Sequence, residues 1–186
     1  MPENRPVAVI TGASSGIGAV FARMLAASGH DLILVARRKD RLEQLAAELQ
    51  TQSEILEADL GDAEDLARVE RRIAERPVDL LVNNAGFGDH GTVASLSLQR
   101  QMDMAQVDVM AVTELTRRFL PGMLERQRGG VVNVASTASF QPGPLMSVYY
   151  ASKAYVLHFS EALVEELAGT GVTVTCLCPG PTATEF

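Results

Sequence analysis

Residues 7–18 read VAVITGASSGIG, an apolar run followed at once by a turn that contains three glycines. The run predicts a buried strand, and the sequence after the turn predicts an amphipathic helix. Glycines let a backbone approach a phosphate closely, and the free N–H groups of a helix N-terminus attract anions. The spacing GxxxGxG differs from the usual GxGxxG, and no Lys-Ser/Thr pair follows it as in a triphosphate-binding loop. The turn predicts a dinucleotide site, with a plain strand-to-helix turn as the alternative.

Strand and helix patterns alternate along the whole chain of 186 residues. We predict strands at 7–10, 31–35, 54–57, 80–82, 131–134 and 172–177, and helices at about 17–28, 41–50, 62–75, 98–127 and 147–168. The second helix has a capping-box signal, with Asp40 as N-cap and Glu43 three residues later. This alternation with short linkers predicts an α/β fold: a Rossmann-type, doubly wound parallel sheet in three α/β/α layers, forming a single domain over residues 1–186. Ligands of such sheets bind at the carboxyl ends of the strands.

Composition excludes several classes of protein. Hydrophobic residues make up 47% of the chain and charged residues 21%, which is typical of a globular domain. The net charge of −7 argues against a general nucleic-acid-binding surface. The chain shows neither a signal-peptide pattern nor an apolar run approaching the ~20 residues of a membrane span. We expect a soluble, cytoplasmic protein with no nucleic-acid or membrane partner.

The cysteines and histidines predict no metal site. Cys176 and Cys178 would share one face of a strand, and their spacing favours packing over redox or metal chemistry. The three histidines are scattered along the chain. His90 follows the fourth predicted strand and is interpreted as a loop residue, with a position beside the substrate as the alternative.

The end of the second predicted strand indicates which dinucleotide binds. A carboxylate here would grip the adenosine ribose of NAD, whereas arginine suits the 2′-phosphate of NADP. The strand runs into Arg37-Arg38-Lys39, with no acid before Asp40. Three cations ahead of a helix N-terminus oppose the helix dipole, which suggests a bound anion. We favour NADP over NAD, with Arg37 as the main contact and Arg38 second; a solvated basic loop is the alternative.

A serine, a tyrosine and a lysine predict the chemistry. Tyr149 and Lys153 are four residues apart, so a helix places both on one face. An isolated tyrosine has a pKa of ~10, and we expect the neighbouring ammonium to lower that pKa. Ser136 ends a predicted strand, at the ligand-bearing edge of the sheet. In carbonyl–alcohol chemistry Tyr149 would exchange the proton, Ser136 would hydrogen-bond the oxygen, and Lys153 would tune Tyr149.

These motifs together resemble the short-chain dehydrogenase/reductase family, in its compact single-domain branch. The resemblance rests on residues 11–18, Asp59-Leu60, Asn83-Asn84-Ala85-Gly86, Ser136, Tyr149 with Lys153, Pro179-Gly180, and Thr184. It implies an NADP-dependent oxidoreductase that interconverts a small-molecule carbonyl and alcohol by hydride transfer, with tyrosine as proton donor or acceptor. It also implies homodimers or homotetramers that pair through the two long helices.

The resemblance assigns residues to the cofactor as well. Asp59 would meet the adenine amino group, the backbone of residues 84–86 would line the cleft, and Asn83 would brace the sheet. Lys153 would hydrogen-bond the nicotinamide ribose, and Thr184 would hold the carboxamide. The full predicted cofactor site consists of Gly12, Ser14, Ser15, Gly16, Ile17, Gly18, Arg37, Arg38, Asp59, Leu60, Asn84, Ala85, Gly86, Tyr149, Lys153, Pro179, Gly180, Thr182 and Thr184.

Two features depart from the family pattern. Many relatives carry an asparagine in the long helix before the serine, and our alignment places Asp108 there as the fourth catalytic residue. An ionised carboxylate accepts hydrogen bonds but cannot donate them, and its charge near Lys153 would alter the local titration. The sequence also stops just after the cofactor segment, so we expect it to lack the family's substrate lid, last strand and last helix.

Substrate contacts are expected from Ser136, Tyr149 and the segment between them, notably Phe140, Gln141, Pro142 and Met146, with ordinary loop packing as the alternative. Two other functions fit parts of the pattern. A nucleotide-sugar epimerase or dehydratase shares the Tyr-x-x-x-Lys motif but usually has differently spaced glycines and a long C-terminal domain. A non-catalytic NADP-binding regulatory or scaffold protein would bind the cofactor without turnover.

Overall fold

The computed structural model of the protein describes residues 5–74 and 76–182. Its sheet has six parallel strands in the order β3-β2-β1-β4-β5-β6. The strands are β1 Val7–Thr11, β2 Asp31–Ala36, β3 Ser53–Glu57, β4 Leu80–Asn83, β5 Gly129–Val134 and β6 Val172–Leu177. The prediction of a parallel α/β sheet is confirmed, with strand bounds close to those expected.

Six α-helices connect the strands. They are α1 Gly16–Ala27, α2 Lys39–Glu48, α3 Ala63–Ile73, α4 Leu98–Ala105, α5 Ala111–Glu125 and α6 Ser147–Glu166. A π-helical turn over Gln106–Met110 joins α4 to α5, so the single helix predicted at 98–127 is wrong in its middle. A short 3-10 turn, Thr137–Phe140, follows β5 and was not predicted.

The predicted capping box of the second helix is also wrong. Helix α2 already begins at Lys39 with Arg38 as its N-cap, and no side chain caps it. Asp40 therefore lies inside the first turn, and Glu43 lies 3.9 Å from Lys39 Nζ instead. Side-chain capping appears one helix later, where the carboxylate of Asp62 accepts the N–H groups of Glu64 and Asp65.

The alternation of side chains along the central strands sorts them into two apolar cores. Val9 of β1 and Ile33 of β2 face one side, which α3, α5 and α6 cover. Ile10 and Leu34 face the other side, which α1 and α2 cover. Both faces are buried, which explains why these strands read as continuous apolar runs.

The direction of winding reverses between β1 and β4. From β1 the chain proceeds outward to β2 and β3, and from β4 it proceeds the other way to β5 and β6. The loops that follow β1 and β4 therefore diverge and leave a crevice at the carboxyl edge of the sheet. Asn83 braces this region from below, because its buried amide donates to Asn133 Oδ1 at 2.8 Å and Thr116 Oγ1 at 3.1 Å.

Candidate active site

The glycine turn is fixed against the loop after β4. Asn84 Nδ2 donates to the carbonyls of Thr11 and Gly12 at 2.9 and 3.2 Å, and Thr11 Oγ1 accepts the N–H groups of Asn84 and Ala85. Gly12 has a φ of +66°, and a Cβ there would stand 2.8 Å from Ala85 Cα. A side chain at this position would meet both backbone strain and a backbone clash, so only glycine fits.

The first turn of α1 faces the crevice. Ser15 is its N-cap but makes no side-chain capping bond. The hydroxyls of Ser14 and Ser15 instead accept hydrogen bonds from Arg38, whose Nη2 lies 3.1 Å from Ser14 Oγ and 2.8 Å from Ser15 Oγ. The N–H groups of this turn are therefore not capped by a side chain, which suits an anion such as a pyrophosphate.

The two arginines after β2 lie in different places. Arg38 reaches back over the glycine turn through its bonds to Ser14 and Ser15. Arg37 is 69% exposed, and its Nη1 lies 3.6 Å from Asp59 Oδ2. Arg38 thus lies at the glycine turn, whereas Arg37 lies beside Asp59, the residue that the resemblance assigns to the adenine. That Arg37 is the main contact of the NADP 2′-phosphate and Arg38 the second stays a prediction.

Ser136 and Tyr149 meet at the carboxyl end of β5. Ser136 is the N-cap of the 3-10 turn, and its Oγ accepts a hydrogen bond from the N–H of Ala138. The same hydroxyl also forms a hydrogen bond with Tyr149. Helix α6 is held against this turn because Ser139 Oγ donates to the Lys153 carbonyl at 2.8 Å. Burial raises the pKa of Tyr149, the charge of Asp108 adds to this effect, and the hydrogen bond to Ser136 opposes it.

This direction differs from the sequence expectation, in which Lys153 lowers the pKa of Tyr149. Lys153 Nζ lies 5.8 Å from the centre of the Tyr149 ring. It donates to the carbonyl of Val134 at 3.1 Å and lies 4.0 Å from Asp108 Oδ2. The ammonium is therefore directed towards the floor of the crevice, and burial dominates the titration of Tyr149.

Asp108 lies in the π-helical turn and is completely buried. Its Oδ1 accepts the N–H of Phe87 at 3.1 Å, whereas Oδ2 has no hydrogen-bond partner among the described residues. Burial raises the pKa of Asp108 to about 6, against the lowering effects of the Lys153 charge and the Phe87 N–H. The sequence alignment gave Asp108 the position of the family's asparagine, and the structure places Asp108 beside Lys153.

A cleft of about 630 Å³ joins the glycine turn to Ser136, Tyr149 and Lys153, whereas Asp108 is buried behind Lys153 and does not line it. One end holds the glycine turn with Arg37, Arg38 and Asp59, and the other holds Ser136, Tyr149 and Lys153. The remaining predicted residues that line it are Gly12, Ser14, Ser15, Gly16, Ile17, Leu60, Asn84, Ala85, Gly86, Gln141, Met146, Pro179, Gly180 and Thr182.

Some predicted residues are not at the cleft. Phe140 ends the 3-10 turn, is 67% exposed and does not line the cleft, because the tight turn directs Ala138 inward and Phe140 outward. Gly18 lies behind the turn, packed against Gly12 and Asn84. His90 is exposed, as expected for a loop residue. Thr184 lies outside the described residues.

The sequence reasoning missed several lining residues, including Phe87, Val107 and Tyr150. Phe87 carries the guanidinium of Arg100 over its ring, 5.3 Å from the centroid. Phe87 could have been predicted to line the cleft, because it directly follows the predicted cofactor residue Gly86. Val107 could not be found in this way, since the π-helical turn changes which residues of the helix face the cleft.

Cys176 lies in β6 and Cys178 directly after it, and their side chains lie on the same side, as expected, with their sulfurs 3.9 Å apart. Burial raises the pKa of Cys176 to about 11, which keeps it a thiol at neutral pH. Within residues 5–74 and 76–182, no three His, Cys, Asp or Glu side chains are grouped to hold a metal ion. In the same part of the chain, no helix combines the length and apolar character needed to cross a bilayer.

Comparison with known proteins agrees with this geometry. The sequence profile of the short chain dehydrogenases matches residues 6–186. The chain belongs to the short-chain dehydrogenase family. A very-long-chain 3-oxoacyl-CoA reductase from Anas platyrhynchos is 36% identical over 96% of this chain, which spans 60% of that relative's length.

Solved structures show the same fold. A short-chain dehydrogenase from Sphingobium yanoikuyae in complex with NADPH is 40% identical, with a TM-score of 0.93 over 97% of this chain and 72% of that one. A relative from Burkholderia phymatum in complex with NAD is 32% identical, with a TM-score of 0.90 over 97% of this chain and 67% of that one. The structural neighbours thus include complexes with either dinucleotide.

Proposed function

We propose that this short-chain dehydrogenase interconverts a carbonyl and an alcohol with NADP(H) as the hydride carrier. The observation that supports this most is the arrangement of one cleft, with a phosphate-binding turn at one end and Ser136, Tyr149 and Lys153 together at the other. Among the described residues that line the cleft, the cationic ones are Arg37, Arg38 and Lys153, and Lys153 is the one beside Tyr149.

The residues of the site have separable roles. When bound, the cofactor supplies or accepts the hydride at the substrate carbon. The hydroxyl of Ser136 donates a hydrogen bond to the carbonyl oxygen, and Tyr149 donates its phenolic proton to that oxygen during reduction. The hydroxyl of Tyr149 is protonated at neutral pH, which is the form that reduction needs, since an ordinary tyrosine has a pKa of ~10 and burial raises the pKa of Tyr149 further. Oxidation of the alcohol needs the phenolate and is favoured at higher pH.

The fit of a dinucleotide rests on the chain's own groups. The uncapped first turn of α1 accommodates the pyrophosphate. Arg37 and Arg38 provide the positive charge that a 2′-phosphate requires, and Asp59, exposed beside Arg37, is available to the adenine amino group. Lys153, at the floor of the other end, would hold the nicotinamide ribose, as the family resemblance implies.

The test follows NADPH oxidation by absorbance against a panel of aldehydes, ketones and diketones. We expect Tyr149→Phe to lower kcat by about 10²- to 10⁴-fold, the usual contribution of a positioned acid. Tyr155→Phe is the matched control, because the Tyr155 hydroxyl forms a hydrogen bond with Thr113 of α5 and does not line the cleft. Equal activity of both variants would refute the role of Tyr149. Binding of NADPH without oxidation of any carbonyl would instead favour the non-catalytic alternative.

We also propose that a second copy of the chain covers α4 and the π-helical turn. Leu98, Met102 and Met110 are 74%, 58% and 47% exposed along this helical segment. Large apolar side chains exposed in a row are typical of an interface between subunits. The family resemblance predicts pairing through this helix and α6, and sedimentation at several protein concentrations measures it.

A further inference from the structure

The carboxyl group of Asp108 is buried in a way that is costly for an isolated anion. None of its surface is exposed, and Oδ1 receives the single N–H of Phe87. Oδ2 has no hydrogen-bond donor among the described residues. A carboxylate in this position requires compensation from a nearby positive charge.

Lys153 provides that charge. Lys153 is only 5% exposed, and its Nζ lies 4.0 Å from Asp108 Oδ2. No other carboxylate in residues 5–74 and 76–182 lies within that distance of Lys153. Gly86 closes over both groups, because a Cβ there would stand 2.8 Å from Asp108 Oδ1 and 3.1 Å from Lys153 Nζ. The backbone thus seals the two side chains together at the floor of the cleft.

We propose that Asp108 is a positioning residue that acts through Lys153: its carboxylate holds the ammonium at the floor of the cleft, and its protonation uncouples the two and changes the pH range of turnover. The part that concerns turnover rests on the proposed oxidoreductase function. The pairing of the two side chains does not depend on that function.

The surroundings of Asp108 contain few other charges. From α6, Lys153 and Tyr149 interact with it electrostatically. The loop after β4 contributes the Phe87 N–H, and residues 84–88 of that loop carry no charge. Burial raises the pKa of Asp108 to about 6, so its charge changes within the range of ordinary assays. The same negative charge adds to the rise in the pKa of Tyr149.

The coupling can be measured without any substrate, because the chain has only two lysines, Lys39 and Lys153. The protein is labelled with ¹⁵N-lysine, and both Nζ resonances are followed by NMR between pH 4.5 and 8, a range set around the Asp108 pKa of about 6. We expect the Lys153 resonance to shift with a midpoint near pH 6 in the natural chain and to lose that shift in Asp108→Asn. Lys39, exposed on α2, is the internal reference. A Lys153 resonance without an inflection near pH 6 would overturn the proposal.

The second readout is the pH profile of NADP⁺-dependent alcohol oxidation. Below pH ~6 a protonated Asp108 resembles an asparagine, so the natural chain and Asp108→Asn should behave alike. Above that pH the variant lacks the negative charge near Tyr149, and its alkaline rise in kcat should begin about one pH unit lower. Asp103→Asn, which removes a charge bonded to Gln99 on α4, should follow the natural chain.

The outcomes separate the two proposals. A constant ratio between the natural chain and Asp108→Asn at every pH would show a purely structural role and overturn the pH function of Asp108. Absence of turnover in both proteins would count against the proposed oxidoreductase activity, while the lysine resonances would still decide whether Asp108 and Lys153 are coupled.

Discussion

Replacing Asp108 with asparagine should remove a pH dependence from the free energy of unfolding. In the folded protein the pKa of this carboxyl rises from 3.8 to about 6, because burial disfavours its charged form. At about 1.4 kcal/mol per pH unit, this rise corresponds to ~3 kcal/mol. The folded state holds the proton more tightly than the unfolded state does. The stabilisation is therefore complete below pH ~4 and is lost as the pH increases through about 6.

The assay is urea unfolding of the natural chain, Asp108→Asn and the control Asp103→Asn at pH 4.5, 5.5 and 7. These pH values bracket the Asp108 pKa of about 6. Between the first and last pH, the natural chain should lose roughly 2 kcal/mol of stability relative to Asp108→Asn. Asp103→Asn is the control, because it removes a partly buried carboxylate that bonds Gln99 on α4. A difference between the natural chain and Asp108→Asn that stays constant with pH would refute the reasoning that burial dominates this titration.

Four further outcomes are expected. Arg38→Ala should raise KM for NADPH about tenfold and leave KM for NADH nearly unchanged, because it removes a cation proposed to pair with the 2′-phosphate, which NADH lacks; equal changes for both cofactors would contradict this. Gly12→Ala should abolish cofactor binding measured by calorimetry, since the added Cβ meets Ala85 and the φ of +66° disfavours a side chain. Ser136→Ala should move the alkaline rise of alcohol oxidation to higher pH, because the hydrogen bond that lowers the pKa of Tyr149 is lost; an unchanged midpoint would argue against that bond. Met102→Glu should shift sedimentation towards a single copy, since this exposed apolar side chain lies on the proposed pairing face; unchanged sedimentation would place the interface elsewhere.

The fold could be predicted closely because its signals are local. Each buried strand is an apolar run covered on both faces, and the glycine turn at residues 11–18 follows from its own spacing. The common direction of the strands then places Thr11, Asn84 and Ser136 at one edge of the sheet. This is why most of the predicted cofactor residues line one cleft.

Apart from the start of α2, which lies one residue before the predicted cap Asp40, the errors concern contacts between packed elements or a change in local helical period. The π-helical turn at Gln106–Met110 is not visible in the hydrophobic pattern, yet it carries Asp108 into the site. The outward direction of Phe140 follows from the tight turn after Ser136. The raised pKa of Tyr149 follows from burial beneath neighbouring elements.

The sequence by itself determined the parallel α/β architecture and the glycine turn, and it supplied the candidates Ser136, Tyr149 and Lys153, because periodicity and residue type are properties of short segments. The tertiary structure decided which charges face one another. It placed Arg38 on Ser14 and Ser15, directed Lys153 towards Asp108 and left Asp108 Oδ2 without a donor among the described residues. These electrostatic relations depend on distance and burial, which exist only once β4, β5 and α6 have packed together.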